Sequence, residues 1–281
     1  MILNLAYPEK SEILFKISKF PDGQQTIDID ASYCVGQLVD KVIIIKSRLN
    51  NFKDVELIIC ANQALLNGGA NRVHLYVPYF IGARSDRQFQ YGGINYLKQV
   101  ICPIINGQNF ASVTVLDPHS DVLEACLSNF NKVDNLKLVE YALESLNGRS
   151  AQTMIVSPDA GALKKIYDVA KAFNITNVVT ASKVRDIVSG NIVRTELPTM
   201  DLTDIEHIII IDDICDGGRT FIELAKEIKK QTDKPIYLIV THGIFSAGLE
   251  QLTDVIDGIF STNSVSVLTT ESGYLKQLNV F

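Results

Sequence analysis

Short apolar runs alternate along the chain with stretches in which apolar residues recur every three or four positions. Residues 208–211 are four consecutive isoleucines. Because this run lacks the alternation of a one-sided strand, we predict a strand buried on both faces of a parallel sheet. After a short polar interval, Phe221, Leu224, Ala225 and Ile228 follow at helical spacing. The segment is therefore expected to form a strand, a loop and an amphipathic helix.

The same succession of strand and helix signals repeats along the chain. Strands are predicted at 42–45, at 72–78, within 111–120, at the start of 153–173, at 177–181 and within 235–248, and helices at 54–67, at 94–105 and at the end of 153–173. This βαβ alternation predicts parallel sheets with right-handed crossovers.

Two stretches depart from that succession. Residues 13–30 alternate apolar and polar positions on either side of a Pro-Asp-Gly turn, which predicts a β-hairpin. The periodicity weakens at 131–138 and restarts at 153. We therefore expect two domains, residues 1–140 and residues 141–281.

Composition narrows the class of protein. The chain has 281 residues, of which 47% are hydrophobic, and a net charge of −6 without any basic block. It can bury a sizeable core, and it lacks the electrostatic pattern of a nucleic-acid-binding protein. No apolar run is long enough to span a membrane, and the N-terminus does not resemble a signal peptide, so a cytoplasmic protein is expected. Five scattered cysteines argue against a zinc ribbon or a disulfide scaffold.

Candidate chemistry is concentrated between the isoleucine strand and its helix, in the string DDICDGGRT. Backbone N–H groups beside a helix N-terminus favour phosphate. Asp212 and Asp213 suit sugar hydroxyls or a Mg²⁺ ion. Together these features point to a phosphorylated sugar as ligand. The alternative is an ordinary turn in which Asp216 caps the helix.

Other polar residues follow predicted strands. Arg84, Asp86 and Arg87 lie in a long loop, where ligands bind in open α/β sheets, although a solvated charge cluster is the alternative. His119 follows an Asp-Pro pair and is either a metal or phosphate ligand or a structural histidine. Asp159 ends a strand in the same way.

Two cations mark a further extended segment. Lys183 and Arg185 are spaced by one residue, so their side chains point the same way and could clamp a polyphosphate. The alternative is a charged hairpin, whose turn we expect at 189–191.

Seven strings of the chain resemble the ribose-phosphate pyrophosphokinase family, which has the type I phosphoribosyltransferase fold. They are KFPDGQ, VPYFIGARSDRQ, TVLDPHSD, VSPDAGALK, SKVRD, IIIIDDICDGGRT and THGIFS, in the family's order and over nearly the whole chain. The resemblance implies an α/β protein with two doubly wound parallel-sheet domains of phosphoribosyltransferase type, related as a pseudo-repeat. The first would bind ATP, and the second would carry the ribose-phosphate loop.

The resemblance also implies an activity. The β,γ-diphosphoryl group of ATP would pass to the anomeric hydroxyl of ribose 5-phosphate, with Mg²⁺ as cofactor and AMP as the leaving product. ATP would be bound by Phe20, Asp22 and Gln24 of a neighbouring subunit and by Arg84, Ser85, Asp86, Arg87 and His119. The implied catalytic residues are Lys183 and Arg185, the metal ligands His119 and Asp159, and the ribose-phosphate ligands Asp212, Asp213, Asp216, Gly217, Gly218, Arg219 and Thr220.

Several positions depart from the family pattern. Gln24 replaces a usual Glu and Ser85 a usual Gln, which bears on purine recognition. The string at 88–91 replaces basic residues, which puts the family's allosteric control by phosphate and ADP in question. The chain also ends before the family's C-terminal helix, so we expect a homo-oligomer of at least two copies rather than specifically a hexamer.

The most consequential departures lie in the ribose-phosphate loop. Gly217 stands in place of Thr, and Arg219 in place of a small residue. The first opens space and the second adds a planar cation, so the loop is suited to an extended 5-phosphate, as in ADP-ribose, an acceptor that belongs to NAD salvage. A phosphoribosyltransferase and a non-catalytic regulatory homologue remain as further alternatives.

Overall fold

The computed structural model describes residues 1–33, 36–147, 150–185, 192–270 and 273–281, with the side chains of residues 150 and 183–194 outside that description. The chain divides into two compact units. The first comprises residues 1–134 with 280–281, and the second comprises residues 135–279. None of the helices described is long and apolar enough to cross a membrane.

The first unit contains a parallel sheet and a hairpin. Its elements are β1 (Ile2–Asn4), β2 (Phe15–Lys19), β3 (Gln25–Ile29), β4 (Ile43–Lys46), α1 (Phe52–Asn67), β5 (Val73–Tyr76), α2 (Cys102–Asn106), β6 (Ser112–Leu116), α3 (Val122–Cys126) and β7 (Phe130–Val133). Short 3₁₀ turns lie at Pro8–Lys10 and Ala31–Tyr33. A π-helical turn, Leu97–Ile101, occupies much of the helix predicted at 94–105.

The sheet of the first unit runs in a single direction. Its strand order is β1-β4-β5-β6-β7, and every neighbouring pair is parallel. Strands β4 and β5 alternate buried and half-exposed residues, so the main core lies on one face of the sheet. The antiparallel pair β2–β3 confirms the predicted hairpin.

Local sequence explains how α1 begins and what it supports. The Asn51 side chain accepts hydrogen bonds from the backbone N–H groups of Lys53 and Asp54, and the Asp54 carboxylate accepts one from the backbone of Asn51. This capping box satisfies donors that the helix leaves unpaired. The backbone N–H of Gln25 in β3 donates to Glu56 Oε1 of α1 at 3.2 Å. The helix therefore anchors the hairpin.

The second unit contains a larger parallel sheet with helices and one antiparallel pair. Its elements are α4 (Leu136–Ser145), β8 (Thr153–Ser157), α5 (Leu163–Ala172), β9 (Asn177–Thr180), β10 (Ser182–Arg185), β11 (Ile192–Glu196), β12 (His207–Cys215), α6 (Arg219–Lys229), β13 (Ile236–Gly243), α7 (Glu250–Thr253), β14 (Gly258–Thr262) and β15 (Leu275–Leu278). A 3₁₀ turn, Ser150–Gln152, precedes β8. The boundary predicted at residue 140 falls inside α4, which belongs wholly to this unit.

The order of strands reverses within this second sheet. It reads β15-β14-β13-β12-β8-β9, so the chain leaves β8 toward β9 and later returns to the other side of β8 as β12. Helices cover both faces and create two cores, one with Ile208 and Ile210 and the other with Ile209 and Ile211. The isoleucine run is therefore buried on both faces, as predicted.

Candidate functional site

The site in the second unit lies where the strand order reverses. In open α/β sheets, ligands bind beyond the carboxyl ends of the strands at such a switch point. The pairing of β12 with β8 ends at Ile210 and Val156, whereas its pairing with β13 continues to Cys215 and Gly243. Strand β12 therefore extends past β8, and it is longer than the predicted strand because it includes both acids.

Asp212 and Asp213 lie in this extension. Asp212 is half-buried and Asp213 is buried. The backbone N–H of Asp213 donates to Asp212 Oδ1 at 2.9 Å. Burial raises the pKa of Asp212 well above its usual value, and the charges of Asp213 and Asp159 raise it further. A ligand with positive charge or hydroxyl donors would counter this electrostatic cost.

Asp159 belongs to the turn that follows β8. Its Oδ1 accepts hydrogen bonds from the backbone N–H groups of Gly161 at 2.9 Å and Ala162 at 3.2 Å. Its backbone carbonyl accepts one from Ser157 Oγ at 2.7 Å. The turn thus fixes the carboxylate, and the influence of Asp159 on the pKa of Asp212 shows that both belong to one electrostatic cluster.

The loop after β12 turns sharply into α6. Gly218 precedes the first residue of the helix and has a φ of 78°, in the left-handed region. A Cβ added there would also lie 3.1 Å from Leu252 Cδ2. The N-cap position of α6 is Gly218 rather than Asp216. Asp216 Oδ1 accepts a hydrogen bond from Ser246 Oγ.

A second loop, which follows β13, supports the first. The backbone N–H groups of Ile244 and Phe245 donate to the Cys215 carbonyl at 2.8 and 3.1 Å, and that of Ser246 donates to the Asp216 carbonyl at 3.2 Å. Ser246 ends the string THGIFS, yet its contact with Asp216 spans 30 residues of sequence. Sequence reasoning consequently missed Ser246 as a residue of the site.

Buried polar contacts hold the base of this second loop. His242 Nδ1 lies 2.9 Å from Ser264 Oγ, and both residues are buried. Thr262 Oγ1 donates to the Thr241 carbonyl at 2.6 Å. These bonds join the carboxyl ends of β13 and β14, and they position the backbone that supports the glycine loop.

The two unusual residues of the loop differ in their surroundings. A Cβ on Gly217 would have Ser246 Oγ as its nearest neighbour, at 4.0 Å, so the structure leaves space there. The Arg219 side chain is 84% exposed, and its Nε donates to Glu223 Oε1 at 2.7 Å. Thr220, the next residue, is half-buried. The Arg219 guanidinium is thereby held against Glu223, one turn further along α6.

Cys215 ends β12 and is buried. Burial, together with the charges of Asp212 and Asp216, raises the pKa of its thiol to about 12. A thiol that remains protonated at neutral pH is a poor nucleophile. Covalent catalysis through Cys215 is therefore disfavoured.

The two predicted catalytic cations lie on the antiparallel pair β10–β11. Lys183 is opposite Thr195 in the register of this pair. The register of the pair shifts between Val184 and Arg185, and this irregularity separates Lys183 from Arg185. Their side chains lie outside the described part of the structure, as does the predicted turn at 189–191.

The predicted ATP loop of the first unit, residues 84–87, lies between β5 and the π-helical turn. The Asn95 side chain donates to the Asp86 carbonyl at 2.6 Å. Arg87 is 77% exposed, with its Nε 4.0 Å from Asp86 Oδ1 and its guanidinium carbon 5.3 Å from the centre of the Phe89 ring. Arg84 is also exposed, whereas Ser85 is half-buried.

The tip of the β2–β3 hairpin carries the other predicted ATP residues. Phe20 is 52% exposed. The backbone N–H of Gly23 donates to the Phe20 carbonyl at 2.9 Å, and that of Gln24 donates to Asp22 Oδ1 at 3.1 Å. These bonds make a tight turn and leave the aromatic ring available for contact.

The predicted metal ligands belong to different units. His119 is exposed and follows the buried Asp117, whose φ of 42° is tolerated by a short polar side chain. Within the described ranges, no group of three or more His, Cys, Asp or Glu residues could hold a metal ion. Mg²⁺ commonly binds through one or two carboxylates, waters and substrate phosphates, and the carboxylates of Asp159 and Asp212 fit such a partial ligand set.

Comparisons with known proteins agree with the sequence strings. Residues 133–262 match the model of the phosphoribosyl transferase domain family. The chain is 24% identical over 256 residues to a ribose-phosphate pyrophosphokinase of Vibrio vulnificus, covering 89% of this chain and 78% of that relative. It is 25% identical over 274 residues to the enzyme of the same name from Haemophilus ducreyi, covering 91% and 84%.

A solved structure shares the fold. The chain is similar to phosphoribosylpyrophosphate synthetase from Mycobacterium smegmatis, with a TM-score of 0.78, 16% identity, and coverage of 97% of this chain and 88% of that one. The likeness and the two parallel sheets confirm the predicted α/β fold class.

Proposed function

This chain is a divergent member of the ribose-phosphate pyrophosphokinase family, and from that premise we propose that it is an ATP-dependent pyrophosphotransferase. It transfers the β,γ-diphosphoryl group of ATP to the anomeric hydroxyl of a ribose 5-phosphate moiety and releases AMP. The observation that carries the proposal is the pairing of acids with a glycine loop at the switch point of the second sheet.

The glycine loop and the two acids bind different parts of the acceptor. Backbone N–H groups at 217–220 donate to the 5-phosphate at the start of α6, an eleven-residue helix whose N-terminus favours anions. Asp212 and Asp213 accept hydrogen bonds from the ribose hydroxyls. This arrangement leaves the anomeric hydroxyl directed away from the phosphate loop and free to react.

ATP is bound by the loop at 84–87 and by the exposed hairpin tip of a second copy, so the proposal includes a homo-oligomer of at least two chains. The Phe20 ring stacks on adenine, and Arg84 and Arg87 contribute positive charge. Light scattering that shows an active monomer would contradict the shared site.

The reaction requires positioning and charge neutralisation more than covalent chemistry. The anomeric oxygen forms a bond to the β-phosphorus and loses its proton, while the bond from that phosphorus to the α,β-bridging oxygen breaks and AMP leaves. Lys183 and Arg185 neutralise charge that grows on the transferred group. Asp159 would bind Mg²⁺ together with substrate oxygens, and the resemblance makes His119 a further Mg²⁺ ligand. Bound Mg²⁺ would supply electrostatic stabilisation of the phosphates.

An assay of AMP release tests this proposal. Purified protein with ATP, Mg²⁺ and ribose 5-phosphate should form AMP and phosphoribosyl pyrophosphate in equal amounts. Release of pyrophosphate from phosphoribosyl pyrophosphate in the presence of a free base would instead indicate a phosphoribosyltransferase. Activity that appears only when an active relative is added would indicate a regulatory homologue.

The loop supports a second acceptor, ADP-ribose. The space beside Gly217 and the exposed guanidinium of Arg219 suit a second phosphate joined to the first. This acceptor would connect the enzyme to NAD metabolism. Wild type and Arg219→Gly are compared by kcat/KM for the two acceptors. The idea requires the mutation to lower the preference for ADP-ribose, and an unchanged ratio would make Arg219 an ordinary surface residue.

A further inference from the structure

A cavity of about 430 Å³ lies in the second unit, between the loop that follows β13 and the segment that leads to β15. Its walls include Phe245, Leu249, Glu250, Leu268, Thr269 and Tyr274. Ligand cavities in proteins usually have volumes of roughly 300–1,000 Å³. This cavity is therefore large enough for a nucleoside-sized group, and none of the residues assigned above by resemblance to the family lies in its walls.

The cavity and the glycine loop share structural elements. Phe245 lines the cavity, and its backbone N–H donates to the carbonyl of Cys215, where β12 ends. Leu252 belongs to α7 between the lining residues Leu249 and Thr253, and its Cδ2 lies 3.1 Å from a Cβ placed on Gly218. The cavity and the glycine loop are therefore neighbours in the second unit.

The chemistry of the walls indicates which part of a ligand they accept. Two aromatic and two leucine side chains offer apolar surface to a planar heterocycle. Glu250 and Thr269 are exposed at the cavity and offer a carboxylate and a hydroxyl to ribose hydroxyls. No cation is present among the described residues of the lining. The cavity therefore suits an uncharged nucleoside better than a further phosphate.

We propose that the cavity holds the nucleoside of an acceptor whose ribose 5-phosphate is extended by a nucleoside monophosphate, as in ADP-ribose. The inference rests on the proposed function, because it needs the terminal ribose 5-phosphate to bind at the glycine loop. Arg219 follows Gly218 and supplies an exposed guanidinium for the second phosphate. The heterocycle then packs against Phe245 and Tyr274, and Glu250 accepts hydrogen bonds from the second ribose.

The substitution Thr269→Trp tests the proposal by filling the cavity. Binding of ADP-ribose and of ribose 5-phosphate is measured by calorimetry with Mg²⁺ and saturating α,β-methylene ATP, which occupies the ATP site without reacting. We expect ADP-ribose to bind about tenfold more weakly, equivalent to roughly 1.4 kcal/mol, and ribose 5-phosphate to bind as in wild type. The matched control is Thr203→Trp at an exposed threonine of the same unit that does not line the cavity, and it should change neither affinity.

A second variant, Glu250→Gln, tests the same cavity without introducing a bulky side chain. It should weaken the binding of ADP-ribose severalfold and leave the binding of ribose 5-phosphate unchanged. The proposal is wrong if wild type binds both acceptors equally well, or if Thr269→Trp and Glu250→Gln leave ADP-ribose binding unchanged or weaken both ligands to the same degree. Failure of the proposed function has a different signature: the binding pattern would hold, but neither acceptor would release AMP from ATP.

Discussion

The two units both contain parallel sheets, but they present polar residues in different ways. The sheet of the first unit has no reversal of strand order and one main core, whereas that of the second reverses at β8 and β12 and has a core on each face. Among the strands that the structure describes, only those of the second unit thus include two adjacent parallel strands whose connections diverge and leave a crevice.

The two units also differ in how far their charged side chains are removed from water. Asp159, Asp212 and Asp213 form an acidic cluster in the second unit, partly removed from water, and the pKa of Asp212 rises. The predicted ATP residues of the first unit lie on an exposed loop and a hairpin tip. Under the proposed function, the second unit would determine the acceptor and the chemistry, and the first would mainly supply ATP-binding surfaces.

The largest expected effect concerns turnover. Lys183→Ala and Arg185→Ala should each lower kcat by about 10²–10³, since each removes an oriented donor that acts mainly in the transition state. Arg84→Ala in the first unit should instead act mainly through the KM for ATP. Steady-state kinetics check the contrast, and an unchanged kcat would exclude the mutated cation from the mechanism.

The second expected effect concerns Mg²⁺. Asp159→Ala should raise the Mg²⁺ concentration for half-maximal activity on the order of tenfold, because it removes a hard oxygen ligand. His119→Ala should raise it less, since imidazole is a poorer ligand for this ion. Activity is titrated with Mg²⁺ at saturating ATP. A titration that superimposes on wild type would remove that residue from the metal site.

The third expected effect concerns backbone strain. Gly218→Ala should lower the free energy of unfolding by about 1–3 kcal/mol, because the new Cβ meets Leu252 and the left-handed φ is unfavourable. Gly92→Ala in the first unit is the matched control, with a φ of 81° and no atom within 4 Å of the new Cβ. Urea unfolding compares the two. Equal losses of stability in the two variants would show that the contact with Leu252 adds nothing to the cost of the substitution.

The smallest effect concerns pH. A raised pKa favours the folded protein below the ordinary value of 3.8, and this contribution disappears as pH rises through the raised pKa of Asp212. Asp212→Asn should therefore be more stable than wild type at neutral pH, with the difference shrinking toward pH 4. Asp30 in the first unit should contribute to stability with the opposite dependence on pH. Hydrogen bonds from Ser32 lower its pKa, so its contribution is lost as pH falls.

Unfolding curves at several pH values would reveal this difference of sign. If Asp212→Asn and Asp30→Asn changed stability in the same direction at every pH, the burial of the acidic cluster would not raise the pKa of Asp212 as described.

Much of the fold could be predicted because apolar spacing reports burial directly. The isoleucine run at 208–211 and the alternation at 13–30 are examples. The strand order could not be predicted, since βαβ alternation gives the handedness of a crossover but not the side of the sheet on which the next strand is added. The π-helical turn at 97–101 also left no signal in the apolar spacing.

Only part of the candidate site could be predicted from the sequence. Its acids and glycines are adjacent in sequence, so their chemistry could be recognised from the string alone. The contact between Ser246 and Asp216 depends on the pairing of β12 with β13, which brings distant residues together. The first residue of α6 could not be predicted. Gly218, in a left-handed conformation, precedes the helix, whereas the sequence offered Asp216 as a cap.

The most direct measurement of the central claim follows the fate of ATP labelled in the β-phosphate, with ribose 5-phosphate or ADP-ribose as acceptor. Wild type should move the β-label to the anomeric oxygen of an acceptor and release unlabelled AMP, and a variant with both Asp212→Asn and Asp213→Asn should lose this transfer while remaining folded. Label found in ADP or free phosphate, or transfer that survives in the double variant, would contradict a pyrophosphotransferase built on the switch point of the second unit.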